Sequence, residues 1–323
     1  MIGFGQVYIP DANFKAYLLG EPLINTNGDT EIQLSEATTF NGTINCSSMN
    51  ISDLTGLEDF TALTELNCSY NQLSILDVSQ NTALVILLCY WTQLTSLNVS
   101  GAIALTELNC NVNQLTSLDV SQNTALTILN CPSNFISSLD LSQNTALSIL
   151  NYSDNLITSL DVSQNTALTE LICYMNQLTA LDVSQNLALT VLRCENNQIT
   201  SLDLSNNSLL QFFVLGNNPF ICLNLSNGNS INFSDCSVNN TPNLFCIEID
   251  GGIGWGLNPT DPQTYFSNNC NNSCSSIVSA IQEHATNKEL IKVTDLLGRE
   301  IKGAKNQLLF YIYDDGTVEK KLI

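Results

Sequence analysis

Cysteine is the residue of this chain best equipped for chemistry, since its thiolate can act as nucleophile or metal ligand and its sulfur can close a disulfide; twelve occur among 323 residues. Seven of them, Cys46, Cys68, Cys89, Cys110, Cys131, Cys173 and Cys194, recur at steps of 21 or 22 residues, with Tyr152 standing in the one vacant place. A column of this kind presents its sulfurs in a line, whereas zinc wants a tetrahedron. Neighbouring rungs of a parallel sheet stand about 4.8 Å apart, wider than the roughly 3.8 Å between Cβ atoms that a disulfide needs. These seven are therefore expected to stay reduced and to serve as small apolar filling. Cys222, Cys236, Cys246, Cys270 and Cys274 lie beyond the column, where pairing is expected, with Cys246 and Cys270 the first choice. Other chemistry is poorly supplied. The single histidine, His284, lies near the end of the chain, so no histidine-based triad or metal site can form earlier. A glycosidase needs two carboxylates about 5 to 9.5 Å apart. Among the outward acids Glu65, Glu107, Glu170 and Glu195, the pair Glu107 and Glu170 is about 14 Å apart by strand spacing, and Glu170 is expected to meet Arg193 as an ion pair.

These residues are positioned by a repeat. The stretch LTELNCSYNQLSILDVSQNTA, 63–83, returns with small edits, and Leu66, Leu87, Leu108, Leu129, Leu150, Leu171, Leu192 and Phe213 follow one another every 21 residues. One short coil cannot bury its apolar side alone, so such a period means a solenoid of stacked coils. Within a coil, Leu66 and Cys68 alternate with Glu65, Asn67 and Ser69, and Leu76 and Val78 alternate with Asp77. That is the strand period, so each coil is read as two short parallel strands facing opposite ways. Asn71 and Asn81 mark the bends, where an amide can bond backbone groups that a turn leaves unpaired. The first of these columns continues at Asn113, Asn134, Asn155, Asn176, Asn197 and Asn218 and fails at Thr92. The column Asp77, Asp119, Asp140, Asp161, Asp182 and Asp203 reads as turn acids bonding backbone amides, the alternative being a cation-attracting stripe.

The segment L-x-x-L-x-C-x-x-N-x-L resembles the leucine-rich repeat with Cys in place of its third Leu, and the cysteine column resembles the cysteine ladder of internalin J, over residues 44–250. The resemblance implies a curved or flattened solenoid whose concave strand face binds a protein or glycan partner, and it implies no chemistry. On that face Tyr70, Tyr90, Trp91, Tyr174 and Met175 occupy the two outward-leaning positions after the cysteine column, where most coils carry small or polar residues. The coil from Leu87 is also the least regular, with Leu88 where others have Asn and Gly101-Ala102-Ile103 for the usual Gln-Asn-Thr. Tyr70, Leu88, Tyr90, Trp91, Tyr174 and Met175 are thus the candidate ligand-binding residues, with mutual packing across strands as the other reading.

Ahead of the repeats, Asp11 is placed to cap a short helix with Phe14 and Leu18 on one face. NTNGDTEIQLSE, from Asn25 to Glu36, resembles an EF-hand calcium loop: Asn25, Asn27 and Asp29 take its first, third and fifth positions, Glu31 the seventh and Glu36 the twelfth, while Thr30 stands where that motif needs glycine. The resemblance implies weak calcium binding, and a plain Asn/Gly turn is the alternative. The last segment, NKELIKVTDLLGREIKGAKNQLLFYIYDDGTVEKKLI, resembles the C-terminal sorting domain of the type IX secretion system, with a generic small β domain as the alternative. The resemblance implies export by that machinery and a signal peptide of which MIGFGQV is read as the remnant, an ordinary terminus being the other reading.

Charge agrees with this division. The net charge is -21, yet Lys288, Lys292, Arg299, Lys302, Lys305, Lys320 and Lys321 all lie in the last segment, leaving only Lys15 and Arg193 to oppose the acids of residues 1–274. Such a surface repels phosphate backbones and anionic lipid, which argues against nucleic-acid partners, and no apolar run approaches a membrane span. The sequence therefore predicts a β-rich leucine-rich-repeat solenoid with few helices: an N-terminal helical cap over 1–40, repeats over 41–250, a C-terminal cap over 251–274 and a small β domain over 275–323. The function expected is recognition or adhesion, secreted or at the outer cell surface, without a catalytic residue. An accessory to an extracellular hydrolase and a structural surface protein are the alternatives.

Overall fold

The computed structural model describes residues 5–229, 233–234, 236–252, 257–259, 261–270, 290–294, 308–313 and 318–322. The chain divides into two compact units, Met1–Cys270 and Asn271–Ile323. In the first, the strands Thr43–Asn45, Glu65–Asn67, Ile86–Leu88, Glu107–Asn109, Ile128–Asn130, Ile149–Asn151, Glu170–Ile172, Val191–Arg193, Phe212–Val214, Cys236–Val238 and Leu257–Pro259 make one eleven-stranded sheet. Each pair is parallel and in register, as in Glu65↔Ile86↔Glu107. The alternation expected from the sequence is present: Leu66, Leu87 and Leu108 are buried between half-buried neighbours that face out.

The opposite side of the coil departs from the expectation of a second strand throughout. Ile75–Asp77 pairs with Ser96–Asn98, and Ser201–Asp203, Cys222–Asn224, Cys246–Glu248 and Tyr265–Ser267 form a four-stranded sheet. Residues 117–119, 138–140, 159–161 and 180–182 are not strands. The two asparagine columns also differ in how they bond. On the first-strand side Asn113 donates from Nδ2 to the carbonyls of Cys89 (2.9 Å) and Cys110 (3.0 Å) and accepts Leu94 N–H at Oδ1 (2.8 Å). On the other side Asn144 donates to Val120 O and Asn123 O, both at 2.9 Å, but its Oδ1 is buried without a partner, as are those of Asn81, Asn123, Asn165, Asn186 and Asn207. One column ties coils by donation and acceptance, the other by donation alone; the donor-only pattern of Asn81 and Asn207 stands beside strands that do pair, so it does not decide where the second strands form. A shallow crevice lined by Ser117, Leu118, Asp119, Ser121, Ser138 and Asp140 opens on the second side. The continuous eleven-stranded sheet is the face that the leucine-rich-repeat resemblance implies is concave, the inner sheet of the solenoid.

The aspartate column does what turn acids do: Asp77, Asp119, Asp140, Asp161, Asp182 and Asp203 each accept the N–H of the serine two residues on. Those bonds from Ser121, Ser142 and Ser163 hold the carboxyls of Asp119, Asp140 and Asp161 below the ordinary carboxylate range. At the N-terminus the helix Ala12–Gly20 buries Phe14 and Leu18. Its cap, Asp11, accepts Asn13 N–H and Phe14 N–H at Oδ1 and Ser52 N–H at Oδ2, which fastens the helix to the first coil. A second helix, Leu34–Thr39, was not anticipated. Glu36 accepts the Gln33 N–H at its start, the reach-back half of a capping box that the sequence Q-L-S-E carries in view. In the second unit Leu290–Thr294, Leu308–Tyr313 and Val318–Leu322 form an antiparallel sheet in that order.

Candidate functional site

The inner sheet presents two outward rows. One runs Glu65, Ile86, Glu107, Ile128, Ile149, Glu170, Val191, Phe212, and the other Asn67, Leu88, Asn109, Asn130, Asn151, Ile172, Arg193, Val214. Just past the strand ends lie the positions singled out for aromatics. Tyr70 and Tyr90 meet edge to face with ring centroids 5.3 Å apart, and Tyr70 stacks on Trp91 at 6.2 Å with planes 17° apart. Tyr70 and Trp91 are 54% and 53% exposed, so the cluster is a surface platform and not core filling. Tyr174 and Met175 do not join it. They lie four coils away, about 19 Å by strand spacing, where the Arg193 guanidinium sits 4.7 Å from the centroid of the Tyr174 ring.

Arg193 pairs with Glu195 and not with Glu170, contrary to the sequence reading. Glu195 stands two residues along on the same side and is itself buried rather than outward, and the Tyr174 ring holds the guanidinium toward it. The apolar members of the first row, Ile86, Ile128, Ile149, Val191 and Phe212, were missed. Their signal was present in the period, one outward residue every 21, but the acids in the same row drew the reading. Ile128 lies in register with Ile149 and Val191 with Phe212, so they form adjacent half-buried pairs on the open face.

The backbone beneath the platform is informative. Tyr70 and Trp91 have φ of 56° and 55°, and the same left-handed position recurs in every coil, at Val112, Ser133, Asp154, Met175, Asn196 and Asn217. Asparagine and aspartate tolerate this region best among residues with a side chain, while a bulky ring is disfavoured there. Aromatics at that position are thus not what the fold asks for. The Trp91 coil is irregular for a structural reason as well. Thr92 Oγ1 bonds Cys89 O at 2.8 Å and Asn113 Oδ1 at 2.9 Å, but a threonine cannot reach back to the preceding coil as the column asparagines do, and Gln93 also turns left-handed. Gly101 lies so close to the preceding coil that a Cβ there would meet Ser79 O at 1.8 Å.

The calcium candidates form a closed hydrogen-bonded turn. Glu36 Oε1 accepts from Thr26 N and Oγ1 and from Asn27 N, and its Oε2 accepts from Gln33 N. Asn25 Oδ1 takes Gly28 N–H, Asn27 Oδ1 takes Asp29 N–H, and Asp29 takes Glu31 N–H, Asn27 Nδ2 and Gln33 Nε2. Glu31 turns away to pair with Lys15 at 2.6 Å. These oxygens face the loop's own donors, and among the described residues no group of three or more His, Cys, Asp or Glu is placed to hold a metal. In this arrangement the residues do not fit a calcium cage.

All seven ladder cysteines are buried thiols. Burial pushes those of Cys46, Cys110 and Cys173 up to about 12 and raises Cys68, Cys89, Cys131 and Cys194 likewise. Beyond the ladder, Cys246 and Cys270 form a disulfide, Cys222 is disulfide-bonded, and the Cys236 thiol donates to Gln211 O.

Coil, ladder and open sheet together define a leucine-rich-repeat solenoid with a cysteine ladder. No family model matches the chain. A stretch of 75 residues, 23% of the chain, is 36% identical to internalin J of Listeria monocytogenes serotype 4b (strain F2365), and the match spans only 8% of that protein's length. Among solved structures, internalin C2 of L. monocytogenes strain 4b F2365 has the same fold, with a TM-score of 0.50 and 18% identity over 74% of this chain and 93% of that one. The functional domain of InlJ from L. monocytogenes, which includes a cysteine ladder, gives a TM-score of 0.43 and 29% identity over 82% of this chain and 71% of that one. Among the described residues no helix is long and apolar enough to cross a membrane.

Proposed function

We propose that this protein is a non-catalytic recognition module, exported by the type IX route through its last segment and displayed or released outside the cell. It engages a protein or glycan partner, in the manner of an adhesin, on the inner sheet around Tyr70, Tyr90 and Trp91. The observation that carries the reading is the exposed Tyr70–Trp91 stack, built on left-handed positions that suit asparagine. Large aromatics supply anchor energy at interfaces, often more than about 2 kcal/mol for the central few. Tyr174 and Met175 make a second, separate contact region. The export assignment is supported by the resemblance of the tail and by its balanced charge beside a strongly acidic solenoid. The test is to screen the full chain on protein and glycan arrays, then to measure the selected ligand against the double variant Tyr90→Ala with Trp91→Ala. Affinity should fall at least about tenfold with the melting temperature nearly unchanged. Unaltered affinity would place the site elsewhere.

A further inference from the structure

Among the described residues two strands of the inner sheet are apolar at both outward positions, Ile86/Leu88 and Phe212/Val214, and of these the first continues into aromatics where the second has Gly216 and Asn217. Ile86 and Leu88 point out of a single strand, Tyr90 follows two residues on, and Trp91 closes the line against Tyr70. On either side of this ridge, in register with Ile86, stand Glu65 and Glu107. Each is one strand spacing, about 4.8 Å, from Ile86 along the backbone, so the two carboxylates straddle the ridge about 10 Å apart. Asn67 and Asn109 flank Leu88 in the same way and carry no charge.

The charge on this face is uncompensated. Lys15 and Arg193 are the only basic residues before residue 275, and they are taken by Glu31 and Glu195. Among the described residues no ion pair involves Glu65 or Glu107, and the one side-chain hydrogen bond Glu65 makes is from the neutral Thr43 hydroxyl, at 3.0 Å. Opposite charge on a partner steers association and fixes register, while like charge is rejected.

Resting on the recognition reading above, we infer that the partner at this face is a cationic polypeptide. Its bound segment carries an apolar side chain over the Ile86–Leu88 ridge and two basic side chains that reach Glu65 and Glu107. Side chains of an extended chain alternate, and the chain advances about 3.3 to 3.6 Å per residue. A segment crossing the strands therefore sets an apolar residue over the ridge with basic residues two positions to either side; these are about 13 to 14 Å apart at the backbone and their long side chains close in on carboxylates about 10 Å apart. The same side chains gain from ring faces: a Lys or Arg within about 6 Å of a Tyr or Trp centroid is attracted by the ring quadrupole. A neutral glycan could stack on the platform but would have no use for two separated negative charges around an aliphatic ridge.

The test uses the full chain and two libraries of short extended peptides. One has Lys or Arg fixed at two positions four apart with an apolar residue midway between them; the other is identical but with Gln at the two fixed positions. The basic library should bind preferentially, and raising the salt should weaken binding. Glu65→Gln with Glu107→Gln should lower affinity about tenfold, and both variants should keep the parent melting temperature, since neither carboxylate is buried. If Tyr90→Ala with Trp91→Ala abolishes binding while the glutamine pair and salt leave it unchanged, the aromatic site stands and the cationic partner is overturned. If neither library binds and the array ligand is a neutral glycan, the inference likewise fails. If a bound peptide is indifferent to both double variants, the inference and the site fail together.

Discussion

At the residue scale the informative choice is Trp91. Its φ of 55° places a large ring where the repeat elsewhere sets Asn196 and Asn217. Replacing it by asparagine relieves left-handed strain of about 1 kcal/mol and gives up a stacking contact of about the same size. Trp91→Asn should therefore melt within about 3 °C of the parent while losing most of its ligand affinity, which calorimetry and binding on one preparation would separate. A stability loss well beyond that range would mark Trp91 as structural. The ladder thiols make a second case. Their folded pKa values are raised by burial, so the folded state holds its protons when an unfolded thiol, near about 8.5, has lost them. The stability they contribute is fully present below that pH and is lost as pH rises toward about 12. Thermal midpoints should fall progressively above about pH 8.5, and Cys110→Ala should flatten the slope by one thiol's share. The burial of these cysteines was legible because a column fixes direction. The pairing of Arg193 was not, because sheet-face neighbours at i+2 and across strands compete, and the Tyr174 ring that decides between them is remote in sequence.

At the element scale the asparagine columns set the shape of the coil, and their defects are the places to test. Thr92 is buried in a column position that accommodates asparagine in other coils. Thr92→Asn should restore the amide bridge to the preceding coil and stabilise by about 1 kcal/mol, read as a higher denaturant midpoint at unchanged slope; a lower midpoint would mean that the turn at Gln93 is needed as it is. Asn144→Ala removes two donors from buried carbonyls that keep one other bond each, so it should cost about 1 to 2 kcal/mol. The strand assignments were readable on the first side because its alternation and its turn amide agree. On the second side the alternation is equally clean in the letters, yet residues 117–182 form no second strand. Letters record which way a side chain points, and the donor-only amides stand beside paired and unpaired segments alike, as at Asn81 and Asn144, so the column does not mark where a second strand forms. The loop around Glu36 teaches the same lesson. Spacing matches a calcium motif, but four protein donors converge on the carboxylate, and these bonds, against the opposing effect of burial, hold its pKa below the ordinary value. The melting temperature should accordingly be the same in millimolar calcium as in chelator, and a calcium-dependent rise would reopen the cage.

At the scale of the whole molecule the two units differ in kind. The first is a parallel stack in which each coil touches only its neighbours, so it should melt as a nearest-neighbour array closed by its caps. The helix at Ala12–Gly20 and the Cys246–Cys270 bridge lie inside that unit. The second holds an antiparallel sheet with its own strand order, and its sequence shares neither the period nor the acidity of the repeats. A segment with its own compact contacts and a composition break before it is expected to fold as a separate unit. A chain ending at Cys274 keeps every cysteine of the protein and all of the first unit. It should unfold within about 2 °C of the full chain and should bind the same ligand with the same affinity, because the proposed site lies in its second to fourth coils. In the native cell that shortened chain should accumulate inside while the full chain reaches the medium or the surface. Normal secretion of the shortened chain would sink the sorting role of the tail while leaving the recognition site untouched. A drop in melting temperature beyond that margin would instead show that the tail is part of the solenoid's own closure.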